Sequence, residues 1–464
     1  MKESIRRVTI FLLGLFIVLG AYLTYLQAFQ GSKLNAHALN RRSREMSKTV
    51  PRGSIIDKNG NNVVRSVPAG SGKNAYYARE YVDGAIFAPL TGFISDKYGK
   101  TGLENSYDQY LSGIANPRFQ LGPISRLWQR RGYNITLSVD GNLQRTAYQA
   151  LGNHRGAIIV MEPGTGRILA MVSKPTFDPA QIDKSWQDIL ANPESPLLNR
   201  AIQGLYPPGS AIKPLVAAAA LEEGVSNLQK IYKSPGYLKI GNYTLHEVND
   251  QPLGELSLEK ALALSSNVAF GQIGLDLGRD RVAKYFDKFG FNREPALALP
   301  AEKSRLPQFN KLADGELAQT AIGQGELLVT PLSMALMTAA LANQGVIMKP
   351  LLVTAVTDTQ GQTIKTFKPE VWLNPVDPQT ANTVQALMEE VVAWGTGTAA
   401  KVRGIRIAGK TGTAENPHGP AHAWFIGFAP VEKPRLVVVV IVENGGSGGA
   451  VAAPVARQIF AEAL

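Results

Sequence analysis

An uncharged run of 22 residues, Val8 to Phe29 (VTIFLLGLFIVLGAYLTYLQAF), constrains this chain more than any other feature. At about 1.5 Å per residue, a helix of that length spans the roughly 30 Å core of a bilayer. Tyr22 and Tyr25 suit the far interface, where amphipathic rings settle. A cleaved signal peptide would have a shorter apolar core followed by a small-residue cleavage site. Neither is seen, so an uncleaved anchor is expected. Lys2, Arg6 and Arg7 precede the run and favour a cytoplasmic N-terminus. Lys33, Arg41, Arg42 and Arg44 follow it and argue the other way. Long downstream domains cross largely regardless of charge, so the N-terminus is expected inside. Later apolar runs, Leu215 to Leu221 and Leu436 to Val442, are too short to span, so a single crossing is expected.

The 464 residues leave room for two or three domains, and 45% hydrophobic content supports large cores. The chain has no cysteine, which excludes disulfides, thiolate catalysis and cysteine-ligated metal sites. Its five histidines, His37, His154, His246, His418 and His422, show no metal-ligand spacing, so no metal is expected. The net charge of +11 could attract nucleic acid, anionic lipid or an acidic wall polymer. No helix-turn-helix, zinc finger or RNA-binding signature is present, so no nucleic-acid partner is expected.

Composition then divides the chain. Gly31 to Lys48 is polar and basic and reads as a helical stalk. Pro51 to about Ile135 is rich in Gly, Pro and Arg, with short strand-like pieces. From about Asn142 the pattern becomes α/β. Leu143 to Leu151 looks helical. GAIIV (Gly156 to Val160) and RILAMV (Arg167 to Val172), separated by EPGTG, read as a hairpin. Helical stretches follow at Ala211 to Glu223, Ser257 to Leu277 and Pro331 to Asn343. Strands return at Gly409 to Ala414, Ala423 to Phe428 and Leu436 to Val442, and a helix closes at Ala453 to Leu464. This order predicts a mixed sheet whose first hairpin joins the last strands, with helices on its faces.

Ser210 lies in YPPGSAIKPLVAAAALEEG. Pro207, Pro208 and Gly209 break any preceding element, so a helix is expected to start near Ser210 and stop near Gly224. Lys213 is one turn on, on the same face. A serine hydroxyl is a poor nucleophile without a base, and a lysine serves as one only if burial or a nearby cation lowers its pKa. Ser-x-x-K alone is weak; a second copy, Ser257 to Lys260, reads as helix capping. Downstream, Ser265-Ser266-Asn267 follows an apolar helical segment. A hydroxyl and an amide projecting into a cleft can relay a proton and bind a substrate amide. Lys410-Thr411-Gly412-Thr413 has strand-forming flanks. An exposed strand edge binds an extended peptide, and Gly412 allows close backbone approach. The look-alike Lys100-Thr101-Gly102 sits in a charged, Gly-rich stretch expected to be loop. The three elements occur in order, 55 and 145 residues apart from Ser210 to Ser265 to Lys410. His418 and His422 would permit a triad with Ser210, but Lys213 makes one unnecessary, and both are assigned to loop or cleft rim.

Ser-x-x-K, a Ser-x-Asn and Lys-Thr-Gly together are the signature of penicillin-binding proteins and serine β-lactamases. Around them, RGSIIDKNG (Arg52 to Gly60), GLENSYDQYLSG (Gly102 to Gly113), TLSVDGNLQRTAYQAL (Thr136 to Leu151), MEPGTGRILAMVSKPTFDP, AIGQGELLVTPLSMA and GTGTAAKVRGIRIAGKTGTAE complete the pattern. The chain resembles a class B penicillin-binding protein, a monofunctional peptidoglycan D,D-transpeptidase. Its short non-catalytic region is similar to the compact penicillin-binding protein A-like subgroup. The resemblance implies a mixed α/β chain. A cytoplasmic tail (1–7) and a transmembrane anchor (8–29) lead to a small α+β pedestal (30–141). A penicillin-binding or serine β-lactamase-like transpeptidase domain (142–464) follows, mainly an antiparallel sheet flanked by helices. No glycosyltransferase or appended C-terminal domain fits the length.

The resemblance also implies roles. Ser210 attacks the penultimate D-Ala of a stem peptide and Lys213 accepts its proton. Ser265, Asn267 and Lys410 pass the proton on to the departing D-Ala. Lys410 and Thr411 or Thr413 hold the terminal carboxylate beside Gly412, and the N–H groups of Ser210 and Thr413 form the oxyanion hole. An amine on a neighbouring stem peptide completes the cross-link, and β-lactams acylate Ser210. No cofactor is implied, and a membrane-embedded glycan polymerase is the implied partner. Two alternatives stay open: a D,D-carboxypeptidase or β-lactamase of the same fold, and an inactive β-lactam sensor or scaffold.

Overall fold

The computed structural model describes residues 2–26, 49–72, 75–117, 130–417 and 419–464. The chain forms two compact units, Met1–Pro51 with Ser66–Ala78, and Arg52–Arg65 with Arg79–Leu464. In the first unit, helix α1 (Lys2–Tyr25) has 24 residues and no buried side chain. Its most apolar 18 residues have a mean hydropathy of 2.2, long and apolar enough to cross a membrane once. It starts ahead of the expected span because Lys2 to Arg7 holds no helix breaker. Residues 27–29 of the expected span, the Gly31 to Lys48 stalk, His37 and His418 lie outside the described residues.

In the second unit, strands from early and late segments pair in one sheet. Ile55–Ile56 pairs in parallel with Asn134–Leu137 and antiparallel with residues 62–64. On the other side of Asn134–Leu137 lie Val353–Thr357 and then Thr363–Thr366, both antiparallel. Two of the quoted segments meet at a buried ion cluster. Arg52 binds Glu104 at 2.9 Å and Asp108 at 2.6 Å, and Glu104 is fully buried. A buried amide follows on the helix Gly141–Ala150. Gln144 Nε2 donates to Ile86 O (3.0 Å) and Met171 O (2.8 Å), and its Oε1 accepts from Met171 N–H (2.8 Å).

The second sheet has five strands: β1 (Gly156–Met161), β2 (Ile168–Lys174), β3 (Ala408–Asn416), β4 (Gly419–Ala429) and β5 (Leu436–Val442). Their spatial order is β3-β4-β5-β1-β2. Every pairing is antiparallel, so the expected mixed sheet is wholly antiparallel, and the first hairpin does join the last strand. The uninterrupted apolar runs of β1 and β5 follow from helices on both faces. Alternation sends Ile158, Val160, Val438 and Val440 into one core with Leu143 and Ile459. Ile159, Met161, Val437, Val439 and Ile441 enter the other with Leu215 and Leu336. The helices concerned are α2 (Gly141–Ala150), α3 (Lys213–Glu222), α4 (Leu258–Ala263), α5 (Asn267–Lys288), α6 (Pro331–Ala342) and α7 (Ala453–Ala463). The helical stretch expected across Ser257 to Leu277 is made of two helices, α4 and α5, separated at Leu264 to Ser266, where the Ser265-Ser266-Asn267 segment begins. Ser266 caps α5, its Oγ accepting from Ala269 N–H at 3.0 Å.

Candidate active site

Ser210 sits on a 3-10 turn, Gly209–Ile212, with α3 beginning at Lys213. An α-helix starting at Ser210 would need an N–H from residue 214 to reach Ser210 O. That residue is proline, so Ser210 O instead accepts from Lys213 N–H in the tighter turn. Gly209 has φ +52°, and a side chain there would stand 2.8 Å from Thr413 O. A side chain at Gly412 would stand 2.8 Å from Pro208 O and 3.1 Å from Ala211 Cβ. The Ser210 turn and β3 therefore meet backbone to backbone. Trp424 Nε1 donates to Pro207 O at 3.0 Å and ties the turn to β4.

Lys213 is fully buried. Its Nζ donates to Ser265 O (2.7 Å) and Asn267 Oδ1 (2.9 Å), and lies 3.4 Å from Ser265 Oγ. Burial lowers its pKa to about 7, and the charge of Glu247 opposes that fall. Lys410 is also fully buried; burial, then the nearby Lys213, hold it well below the lysine range. Its Nζ donates to Ser265 Oγ at 2.8 Å and Thr411 O at 3.0 Å. One serine hydroxyl thus lies between two amines from distant parts of the chain.

Ser265 reaches that point because its backbone is left-handed, with φ +61°. Such a conformation is costly for a residue with a Cβ and persists where the surroundings impose it. Asn267 opens α5, and its Nδ2 donates to His246 O at 3.0 Å.

β3 is an edge strand, so its outer side is open to an incoming extended chain. Along it, Lys410 is opposite Ile426 and Thr413 opposite Ala423. Thr411 is buried and Thr413 exposed. The Thr411 and Thr396 hydroxyls are 2.6 Å apart, and Thr413 Oγ1 accepts from Gly448 N–H at 3.4 Å.

Ser210, Lys213, Ser265, Asn267, Lys410, Thr411, Gly412 and Thr413 are therefore brought together from three segments. His422 is not a loop residue: it lies on β4, buried, its Nδ1 accepting from Asn444 N–H at 3.1 Å. Burial pushes its pKa down. The second Ser-x-x-K is a helix cap, Ser257 Oγ accepting from Lys260 N–H, and Lys100 pairs with Asp108 at 2.7 Å. Two neighbours were not anticipated from sequence. Thr396 stands within the quoted GTGTAAK segment without an evident role, and Glu247 lies 18 residues before Ser265, on a separate hairpin with no spacing rule. Among the described residues, no three His, Asp or Glu side chains converge as metal ligands.

This geometry agrees with what the chain is similar to. Residues 156–461 match the penicillin binding protein transpeptidase domain, and residues 52–127 the penicillin binding protein A dimerisation domain. The peptidoglycan D,D-transpeptidase PbpA of Mycolicibacterium smegmatis is 35% identical over 100% of this chain and 99% of its own. Among solved structures, penicillin-binding protein A from M. tuberculosis in a ceftriaxone acyl-enzyme complex superposes with a TM-score of 0.85. It is 32% identical over 90% of this chain and 99% of that one. The D,D-transpeptidase domain of a peptidoglycan glycosyltransferase from Eggerthella lenta gives 0.81, at 36% identity over 89% and 97%. With a buried Ser-x-x-K lysine, a strained Ser-x-Asn and a Lys-Thr-Gly edge strand in one cluster, the chain belongs to the class B penicillin-binding protein transpeptidases, in the penicillin-binding protein A group.

Proposed function

We propose that this chain is a peptidoglycan D,D-transpeptidase that cross-links stem peptides through an acyl-enzyme on Ser210 and is acylated there by β-lactams. The observation that carries it is the Ser265 hydroxyl between Lys410 Nζ (2.8 Å) and Lys213 Nζ (3.4 Å), with Ser210 one turn before Lys213. With its pKa near 7, Lys213 has the neutral amine that a general base requires. Ser210 Oγ attacks the carbonyl carbon of the penultimate D-Ala, and its proton moves to Lys213 Nζ. The N–H groups of Ser210 and Thr413 take the oxyanion. As the bond to the terminal D-Ala breaks, the proton passes through Ser265 Oγ to the leaving amine, with Asn267 and Lys410 holding the relay. An amine of a second stem peptide then attacks the ester, gives its proton to the relay, and restores the Ser210 hydroxyl. The donor peptide lies along β3, its carboxylate against Lys410, Thr411 and Thr413. An arriving carboxylate favours the protonated form of Lys410.

The same proposal makes 1–7 a cytoplasmic tail, 8–29 the anchor, 30–141 a pedestal and 142–464 the catalytic domain outside the membrane. Lys2, Arg6 and Arg7 support that orientation. A membrane-embedded glycan polymerase is the proposed partner, met by the anchor and pedestal.

The test is labelling of the full chain with fluorescent penicillin, then mass mapping of the adduct. Label on Ser210, lost in Ser210→Ala, is expected; label elsewhere would overturn the assignment. A synthetic pentapeptide donor is then supplied with and without an amine acceptor. Cross-linked product is expected, and acyl-enzyme turnover within seconds to hydrolysed donor alone would make the chain a hydrolase. Because the chain lacks cysteine, Glu3→Cys reports orientation; reaction with an impermeant maleimide only after permeabilisation is expected.

A further inference from the structure

Glu247 is a buried carboxylate that none of the roles above employs. It accepts hydrogen bonds from Ser234 Oγ (2.8 Å), Ser266 Oγ, Asn267 N–H (2.7 Å) and Val268 N–H (3.1 Å). None of these donors is a cation. Three of the four belong to the segment that immediately follows Ser265. A neutral side chain could cap α5, so burying a carboxylate there calls for a second reason. The nearest one is charge. Lys213 on α3 feels the Glu247 charge, and Lys410 on β3 lies beyond the shared Ser265 hydroxyl. The other charged groups nearby are engaged with each other at the surface. His246 pairs with Asp250 at 2.6 Å on the segment of Glu247 itself, and Lys233 lies 3.9 Å from Glu255 beside Ser234.

We infer that Glu247 is the positioning residue of the Ser265–Asn267 relay, pinning the left-handed Ser265 backbone and supplying a negative charge on the Lys213 side of the site. Through Ser266 Oγ and the N–H groups of Asn267 and Val268, it holds the chain on the far side of Ser265. The Asn267 side chain is fixed to His246 O, the residue before Glu247. Ser265 is thereby kept at φ +61°, and its hydroxyl stays between the two Nζ atoms. Without these ties the residue relaxes to an ordinary backbone region and the hydroxyl swings out of the relay.

The inference rests on the acyltransferase reading, and its test separates the two. The second-order rate of Ser210 acylation by a fluorescent penicillin is followed from pH 5 to 9 in the full chain in detergent. Wild type, Glu247→Gln and Ser266→Ala are compared. Loss of the charge in Glu247→Gln lowers the acid limb by about one pH unit, as expected for a carboxylate near a lysine. Its plateau falls at least about tenfold through the lost pinning. Ser266→Ala keeps the charge, so its limb stays in place while its plateau falls about threefold to tenfold. A Glu247→Gln limb that stays at the wild-type pH overturns the inference, whatever the plateau does. If Glu247→Gln does not fold, Ser266→Ala decides: a plateau within twofold of wild type overturns the pinning. If wild type itself shows no label on Ser210, the acyltransferase reading fails instead.

Discussion

Replacing Lys213 by arginine tests the base directly. A lysine at its ordinary pKa is neutral in only about one molecule in three thousand at pH 7. Lys213, with its pKa near 7, is neutral in about half. Burial therefore raises the supply of free amine about a thousandfold, equivalent to roughly 4 kcal/mol of barrier. Arginine keeps its charge at every accessible pH, so Lys213→Arg has no neutral form to offer. The assay is the second-order acylation rate with a fluorescent penicillin, read by gel and intact mass from pH 5 to 9. In the wild type the rate should rise about tenfold per unit between pH 5 and 6.5 and level off above 7.5. In Lys213→Arg it should be at least about a thousandfold lower at pH 8 and nearly flat. A wild-type profile that is flat across this range, or a variant with a tenth of the wild-type rate, would refute the assignment of Lys213 as base.

Three further outcomes follow from the same structure. Above about pH 7.5 the folded Lys213 is mostly unprotonated, whereas the unfolded side chain keeps its proton to about pH 10.4. The unfolded state thus binds more protons, and wild type should gain about 1.4 kcal/mol per pH unit relative to Lys213→Met between pH 7.5 and 9, read from denaturant midpoints. Gly412→Val forces a side chain against Pro208 O and Ala211 Cβ, pushing β3 from the Ser210 turn. Acylation should drop at least about tenfold, with little change in circular dichroism. Arg52→Ala leaves the fully buried Glu104 and the partly buried Asp108 without that partner. The expected loss is about 3 kcal/mol in thermal or denaturant unfolding, with the acylation rate of the remaining folded protein unchanged.

Much of the site was legible because its chemistry is local. Ser210 and Lys213 are a turn apart behind Pro207-Pro208-Gly209, and the Lys410 strand carries its own apolar flanks. Helix α1 was legible for the same reason: length and the absence of charge are properties of one segment. The Ser257 to Leu277 stretch reads as helical on both sides of Ser265-Ser266-Asn267, and the break between α4 and α5 falls at Leu264 to Ser266, because the polar Ser-Ser-Asn run carries a cap signal of its own. For His422 the sequence suggests a loop or cleft rim, yet it lies on β4, opposite Ala414 of β3, and is buried there.

By itself, the amino-acid sequence determined the apolar N-terminal helix, the Ser210 and Lys213 pair one turn apart, and the order of the three motifs, each set by residues within a few positions of one another. Tertiary structure alone decided the rest. It brings Val353–Thr357 and Thr363–Thr366 into a sheet with strands some 220 to 300 residues earlier, a pairing no local pattern encodes. It removes Lys213 and Lys410 from water, which turns two ordinary cations into amines that can give up a proton. It also sets Glu247 beneath Ser265. Burial and left-handed strain arise only when distant segments close around a residue, so the reactivity of this site belongs to the fold even though its letters belong to the chain.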